Sequence, residues 1–237
     1  MRSYSITHPP GRVALPTQAG WDYLVFAHTG LFTAFTDSAA WTIPTHRALC
    51  VPDGTRLRIE TPRLAGMRCL YLDASLRVLG DAVRVVNLTS LTRELTLHAV
   101  AAAPMDLTRP ADAATITLLA ELLALQPGAP LQLPLPDDPV ARDVAVAIMS
   151  NPAGPLRDQL RAANANRRTI ERRFSTETAM SLGQWRRRAR GLASVASLAD
   201  GERVTNVAVA MGYSSPSAFV AAFRAELGTS PREYMRQ

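Results

Sequence analysis

Lysine is absent from this chain of 237 residues, so all 26 of its Lys/Arg cations are arginines. Cysteine is nearly absent: only Cys50 and Cys69 occur, both in apolar stretches that read as strands. Two cysteines do not make a disulfide framework, and with so few ligands nearby they do not make a zinc site. Both are expected as buried free thiols. No run of about 18 apolar residues lacks charge, which argues against a membrane-spanning helix. Residues 1–11 hold one arginine, two prolines and no apolar run. They do not read as a signal peptide, and a cytoplasmic location is expected. Histidine occurs four times, as His8, His28, His46 and His98, with no two at ligand spacing on one strand. His46 follows a Pro-Thr turn and reads as a surface-loop residue. Neither a metal, a cofactor nor a catalytic residue is expected.

What is present is unevenly distributed. Hydrophobic residues make up 47% and charged residues 19%, a globular composition. Residues 1–150 carry 12 arginines against 13 acidic residues, a net of −1. Residues 151–237 carry 14 arginines against 7 acidic residues, a net of +7. The positive balance therefore lies wholly in the last third, as in a chain with one domain facing a polyanion.

The first part reads as β. Trp21-Asp-Tyr-Leu-Val-Phe-Ala-His28, Leu31-Phe-Thr-Ala-Phe-Thr36, Trp41-Thr-Ile43, Ala48-Leu-Cys-Val51, Arg56-Leu-Arg-Ile-Glu60 and Met67-Arg-Cys-Leu-Tyr-Leu72 are short runs separated by turn residues. That spacing suggests a sandwich or small barrel, with one wet face on the alternating run 56–60. From Ser90 the pattern turns helical, first around Leu91 and Leu95, then over 114–125, where Pro127-Gly128 stops it. The prolines in Leu131-Gln-Leu-Pro-Leu-Pro136 exclude a helix there. Residues 139–149 form another amphipathic helix, and Asn151-Pro-Ala-Gly-Pro155 reads as a hinge. The fold class expected is α+β, with domains at 1–88, 89–150 (connecting helices) and 151–237.

Within 151–237 one pattern occurs twice. In 156–179, Leu156 and Leu160 share a face, 162–165 make a turn, and Asn166 caps a second helix. That helix is seated by Ile170 and Phe174 and directs Arg168, Glu171 and Arg172 outward. In 204–228, Val204, Val207, Ala208 and Met211 face inward and Gly212 ends the helix in a left-handed conformation. Ser215 then caps and Pro216 opens a helix with the stripe Phe219, Phe223 and Leu227. Between them, Ser181-Leu-Gly-Gln184 is a capping box opening a helix to about Leu198 that bears Arg186, Arg187, Arg188 and Arg190. Ser230-Pro-Arg-Glu233 is a second capping box. A helix-turn-helix places its second helix in the major groove, where arginine takes guanine O6 and N7 together.

These residues resemble the AraC-type DNA-binding domain. The likeness is carried by Arg168-Thr-Ile-Glu-Arg-Arg-Phe174, Val204-Thr-Asn-Val-Ala-Val-Ala-Met-Gly-Tyr213, Ser215-Pro-Ser-Ala-Phe-Val-Ala-Ala-Phe-Arg224 and Gly228-Thr-Ser-Pro-Arg-Glu-Tyr234. Upstream, Trp41-Thr-Ile-Pro-Thr-His-Arg-Ala-Leu-Cys-Val-Pro-Asp-Gly54 and 131–136 are similar to the subgroup with a cupin-like N-terminal barrel. The resemblance implies a transcription regulator that reads successive major grooves of double-stranded DNA with two recognition helices. By position, Arg168, Glu171 and Arg172 in the first, and Pro216, Ser217, Val220 and Ala221 in the second, would face bases. Asn166, Arg173, Arg186, Ser215 and Arg224 would face the backbone. The second set is small and mostly apolar, suited to a thymine methyl, so most specificity is expected from the first. The chain departs from the family pattern at Asn166, at Ala179 (usually Gly) and at Gly191 (usually large and apolar). In the Pro52-Asp-Gly-Thr-Arg56 turn this subgroup often has a histidine shortly after the glycine, where this chain has Arg56 and Leu57.

For the N-terminal domain the resemblance implies a small-molecule effector or homodimer formation through the helices of 90–124. Trp21, Phe26, Phe35, Trp41 and Tyr71, with Phe32 beside them, could line a ligand pocket or simply fill the core. Two other classes stay open: a cupin-fold enzyme with a helical tail, and a module whose basic face meets an acidic protein.

Overall fold

The computed structural model describes residues 1–15, 18–199 and 201–235. Its strands are β1 (Arg2–His8), β2 (Gly11–Ala14), β3 (Trp21–Thr29), β4 (Leu31–Phe35), β5 (Ala39–Pro44), β6 (Arg47–Val51), β7 (Arg58–Thr61), β8 (Ala65–Asp73), β9 (Arg84–Asn87) and β10 (Gln132–Pro134). Its helices are α1 (Ser90–Ala102), α2 (Pro110–Ala124), α3 (Pro139–Ser150), α4 (Leu156–Ala162), α5 (Arg167–Thr178), α6 (Leu182–Ala199), α7 (Val204–Ala210), α8 (Pro216–Leu227) and α9 (Pro231–Tyr234). The fold is α+β, with two antiparallel sheets followed by helices. The chain divides into two compact units, 1–36 with 43–130, and 37–42 with 131–237.

In the first unit one sheet runs β1-β8-β3-β6-β9, every neighbour antiparallel. Cross-strand partners share a face, so Leu24 aligns with Cys50 and Leu70, and Phe26 with Ala48. These residues meet Ala99 of α1 and Ile116, Leu119 and Leu123 of α2 in one core. The other face of β3 carries Tyr23 and Val25, also buried, which is why its sequence is a continuous apolar run rather than an alternation. β7 pairs with β2 and with β4 in the second sheet. The run 56–60 alternates as its sequence implies, with Leu57 and Ile59 buried and Arg56 and Arg58 exposed. Thr89 caps α1 by accepting from Thr92 N at 3.2 Å. The buried face of α1 is Thr92, Thr96 and Ala99, and Leu91 is left 59% exposed.

Both cysteines are free and buried, and burial pushes each thiol up to about 12, which keeps it protonated. His46 is not a surface-loop residue. It is half-buried between β5 and β6, and burial together with Arg47 and Arg93 lowers it to about 4.

The second unit contains the short ladder of β10 against Ala39–Trp41 of β5. Asp138 caps α3, accepting from Ala141 N at 2.9 Å, and α3 buries Ala141, Val144, Ala145 and Ile148. This helix packs on α4, α5 and α6. Among the described residues no helix is long and apolar enough to cross a membrane.

Candidate nucleic-acid interface

Two helix pairs of the second unit have the geometry that their sequences imply. α4 leads through Asn164, in the left-handed region at φ 47°, to the N-cap Asn166. The Asn166 side chain accepts from Arg168 N at 3.0 Å and Thr169 N at 3.3 Å, satisfying two otherwise orphaned donors of α5. Ile170 and Phe174 are buried, and the Phe174 ring meets Trp185 of α6 edge-on at 5.1 Å. Trp185 in turn donates its indole N–H to Pro134 O at 2.6 Å. In the second pair, Gly212 takes φ 76° after α7, and Ser215 accepts from Ala218 N at 3.2 Å to cap α8. Phe219, Phe223 and Leu227 are buried, and Phe223 packs edge-on against Tyr234 of α9 at 5.6 Å. The Ser230–Glu233 capping box is formed, and the hydrogen bonds it gives Glu233 lower that carboxyl to about 2.

Seating these stripes inward leaves the opposite faces bare. On α5, Arg168, Glu171 and Arg172 are exposed. Glu171 accepts from Arg167 Nε at 2.8 Å, whereas Arg168 and Arg172 have no ion pair among the described residues. On α8, Pro216, Ser217, Ala221 and Arg224 are exposed and Val220 is half-buried. Asn166 and Ser215 are exposed but engaged as caps. No ligand group of three or more His, Cys, Asp or Glu side chains gathers for a metal among the described residues.

Other arginines serve the scaffold. Arg173 pairs with Asp138 at 3.3 Å and Glu177 at 3.4 Å. Glu177 Oε2 also accepts from Asp137 N and Asp138 N, both at 2.9 Å, so the end of α5 is tied to the start of α3. The Arg173–Glu177 spacing is visible in sequence, but the α3 partner is not. The run on α6 is divided among four neighbours, because successive helical residues point about 100° apart. Arg186 donates to Gly154 O at 2.8 Å, and Arg187 lies 3.9 Å from Glu226. Arg188 donates to Gln132 O at 2.7 Å, and Arg190 stacks 5.3 Å over Tyr213. Burial, followed by Arg190 and Arg167, lowers the Arg186 pKa.

Residues 160–237 match the protein family described as "Helix-turn-helix domain". The C-terminal region is a helix-turn-helix domain. The chain is 26% identical over 214 residues to the HTH-type transcriptional regulator NimR of Escherichia coli, covering 90% of this chain and 78% of NimR. Among solved structures, ToxT from Vibrio cholerae covers 100% of this chain, which spans 98% of it, at 11% identity and a TM-score of 0.42. The DNA-binding domain of AdpA, solved with a target DNA, covers 42% of this chain, which spans 91% of it, at 33% identity and a TM-score of 0.37. In this region α5 and α8 are the second helices of the two helix pairs.

Within the first unit, Trp21, Phe26, Phe35 and Tyr71 do not line one pocket. Phe26 lies in the core between sheet and helices, whereas Tyr71 stacks edge-on with Tyr23 at 5.0 Å on the other face. Phe35 lies 4.7 Å beneath the Arg58 guanidinium. Trp41 belongs to the second unit. Trp21 lines a cavity of about 460 Å³ with Leu72, Leu76, Met105, Leu107 and Ile116.

Proposed function

We propose that this protein regulates transcription by binding a specific duplex sequence, with α5 supplying most of the base discrimination and α8 serving as a second, weaker reader. The observation carrying this reading is the capped α5, which presents Arg168 and Arg172 outward without ionic partners in the same unit. A bidentate arginine–guanine contact discriminates by about 1–3 kcal/mol. In this reading Arg224, exposed at the far end of α8, contacts phosphate. The regulator performs no catalytic step and works in the cytoplasm. The first unit takes a small apolar effector in the cavity beside Trp21, or a second copy of the chain against Leu91, Leu118 and Leu125, which are 59%, 46% and 75% exposed.

A gel shift with DNA upstream of its own gene and of the neighbouring gene tests the central claim. A retarded, competitor-resistant complex is expected, and folded protein that shifts nothing at low salt would refute it. Arg172→Ala should cost about 1–3 kcal/mol on the specific site and relax base preference. Arg224→Ala should weaken all sequences alike and flatten the salt slope by about one unit.

A further inference from the structure

Resting on the DNA-binding reading above, we infer that the operator is chemically lopsided: guanines face α5, and thymine methyl groups, rather than hydrogen-bonding edges, face α8. The two helices differ in what their outward faces can do. On α5, Arg168 and Arg172 are exposed four residues apart, one turn on the same face. Side chains so placed start about 5–6 Å apart, and successive bases rise by about 3.4 Å. The pair therefore fits two guanines no more than about two steps apart. Glu171, on the same face, is held at 2.8 Å by Arg167. Its carboxylate accepts from a cytosine amino group and repels the acceptor edges of guanine. This half of the site is thus one of G·C pairs with a fixed strand sense.

On α8 the outward residues are Pro216, Ser217 and Ala221, exposed, and Val220, half-buried, with Arg224 exposed one turn further on, near the end of the helix, where the reading above gives it to phosphate. Pro216 has no N–H, and the Ala218 N–H is already taken by Ser215 Oγ at 3.2 Å. Apart from the Ser217 hydroxyl, no side chain among the first four can donate or accept. The one base feature that such a surface distinguishes by contact is the thymine C5 methyl. Discrimination there rests on apolar burial and is shallower than on the arginine side.

The full chain would be used to select duplexes from a random pool, and the selected duplex then altered one base at a time. Deoxyuridine in place of thymine removes the methyl alone and keeps the Watson–Crick face. Each such change in the α8 half should weaken binding about threefold to fourfold, the worth of one buried methyl group. In the α5 half, 7-deazaguanine removes the N7 acceptor and should weaken binding about tenfold. Arg172→Ala should erase the 7-deazaguanine effect at one of the two guanines and leave the uracil effect, whereas Val220→Ser should weaken a uracil effect and leave both guanines sensitive. A chain that shifts the selected duplex but is indifferent to uracil throughout, or that selects no guanines, overturns this inference and leaves DNA binding standing. A chain that shifts no duplex at low salt overturns both.

Discussion

Replacing Ala179 by glycine should stabilise the DNA-binding unit. Ala179 closes α5 at φ 55° and ψ 21°, in the left-handed region. An L-residue pays roughly 1–2 kcal/mol there, because its Cβ crowds the following carbonyl. Glycine removes that strain but gains freedom in the unfolded chain, which returns about 0.4–1 kcal/mol. Ala179 is exposed, so its methyl contributes no buried contact that glycine would lose. The net expectation for Ala179→Gly is a gain of about 0.5–1 kcal/mol, or roughly 1–4 °C in Tm for a chain of this size. Urea unfolding followed by tryptophan fluorescence measures it. In a Trp21→Phe background the remaining fluorophores, Trp41 and Trp185, both belong to the second unit. Ala179→Val is the control: a β-branched side chain in this conformation is a true outlier and should lose more than glycine gains. No gain with glycine, or tolerance of valine, would refute the argument. Asn164, at φ 47°, needs no such relief, since asparagine tolerates this region through local hydrogen bonding.

Gly191→Ala is expected to stabilise by about 0.5–1 kcal/mol through helix propensity, since the new Cβ would lie 3.5 Å from Glu226 Cβ, an ordinary contact. Gly191→Leu should destabilise in the same thermal melt, because α8 lies against that face. His46 is neutral in the fold and titrates near 6.5 when unfolded, so its contribution is complete above about pH 6.5 and fades as pH falls toward about 4. Allowing for its partial exposure, on the order of 1–2 kcal/mol is lost across that window, and His46→Asn should flatten the pH dependence of the melting temperature. Arg161, Arg168, Arg172, Arg203, Arg224 and Arg232 have no ion pair among the described residues. If those make the phosphate and base contacts, the slope of log K against log salt is no steeper than about −5, readable by fluorescence anisotropy between 50 and 200 mM salt, roughly the range over which such slopes are defined.

Most of the C-terminal unit was legible because its signals are local. A cap, a turn and an i, i+4 apolar pair lie within a few residues of one another, so Asn166, Gly212, Ser215 and the two capping boxes could be read directly. Strands β3 to β8 were legible for a similar reason, as apolar runs between turns, whereas β1, β2, β9 and β10 were not read as strands. What escaped was partnership across the chain. Nothing near Asp37–Thr42 marks it as compact with residues 131–237, because a strand's partner is set by ladder and core rather than by its own composition. Leu91 belongs to the apolar pattern of α1, yet the buried positions are Thr92, Thr96 and Ala99. Thr92 and Thr96 can be buried there because their hydroxyls are satisfied locally, Thr96 Oγ1 donating to Thr92 O at 2.6 Å and Thr92 Oγ1 lying 2.8 Å from Thr89 Oγ1. Phe26, Phe35 and Tyr71 are buried as core, while Trp21 is half-buried and lines a cavity without them.

The arginines show how far charge counting can mislead. A net of +7 over residues 151–237 marks the domain correctly, but it overstates the cation content of the binding surface. Arg173 joins α5 to α3 through Asp138 and Glu177, and Arg186 and Arg188 donate to main-chain carbonyls of the α3–α4 turn and β10. An arginine can do this because its planar fork carries five donors at the end of a long stem, so it reaches carbonyls that no nearby residue would satisfy. With no lysine in the chain, structural and DNA-facing roles fall to the same residue type, and composition cannot separate them. Geometry narrows the choice: an arginine that already donates to a carbonyl in its own unit has one donor fewer and a fixed direction for the rest, whereas Arg168 and Arg172 give up nothing in that unit. Division of labour among chemically identical side chains is therefore decided by what each would lose on binding. By that measure α5 carries the arginines with the most to offer a ligand, while the basic run on α6 is already engaged within its own unit.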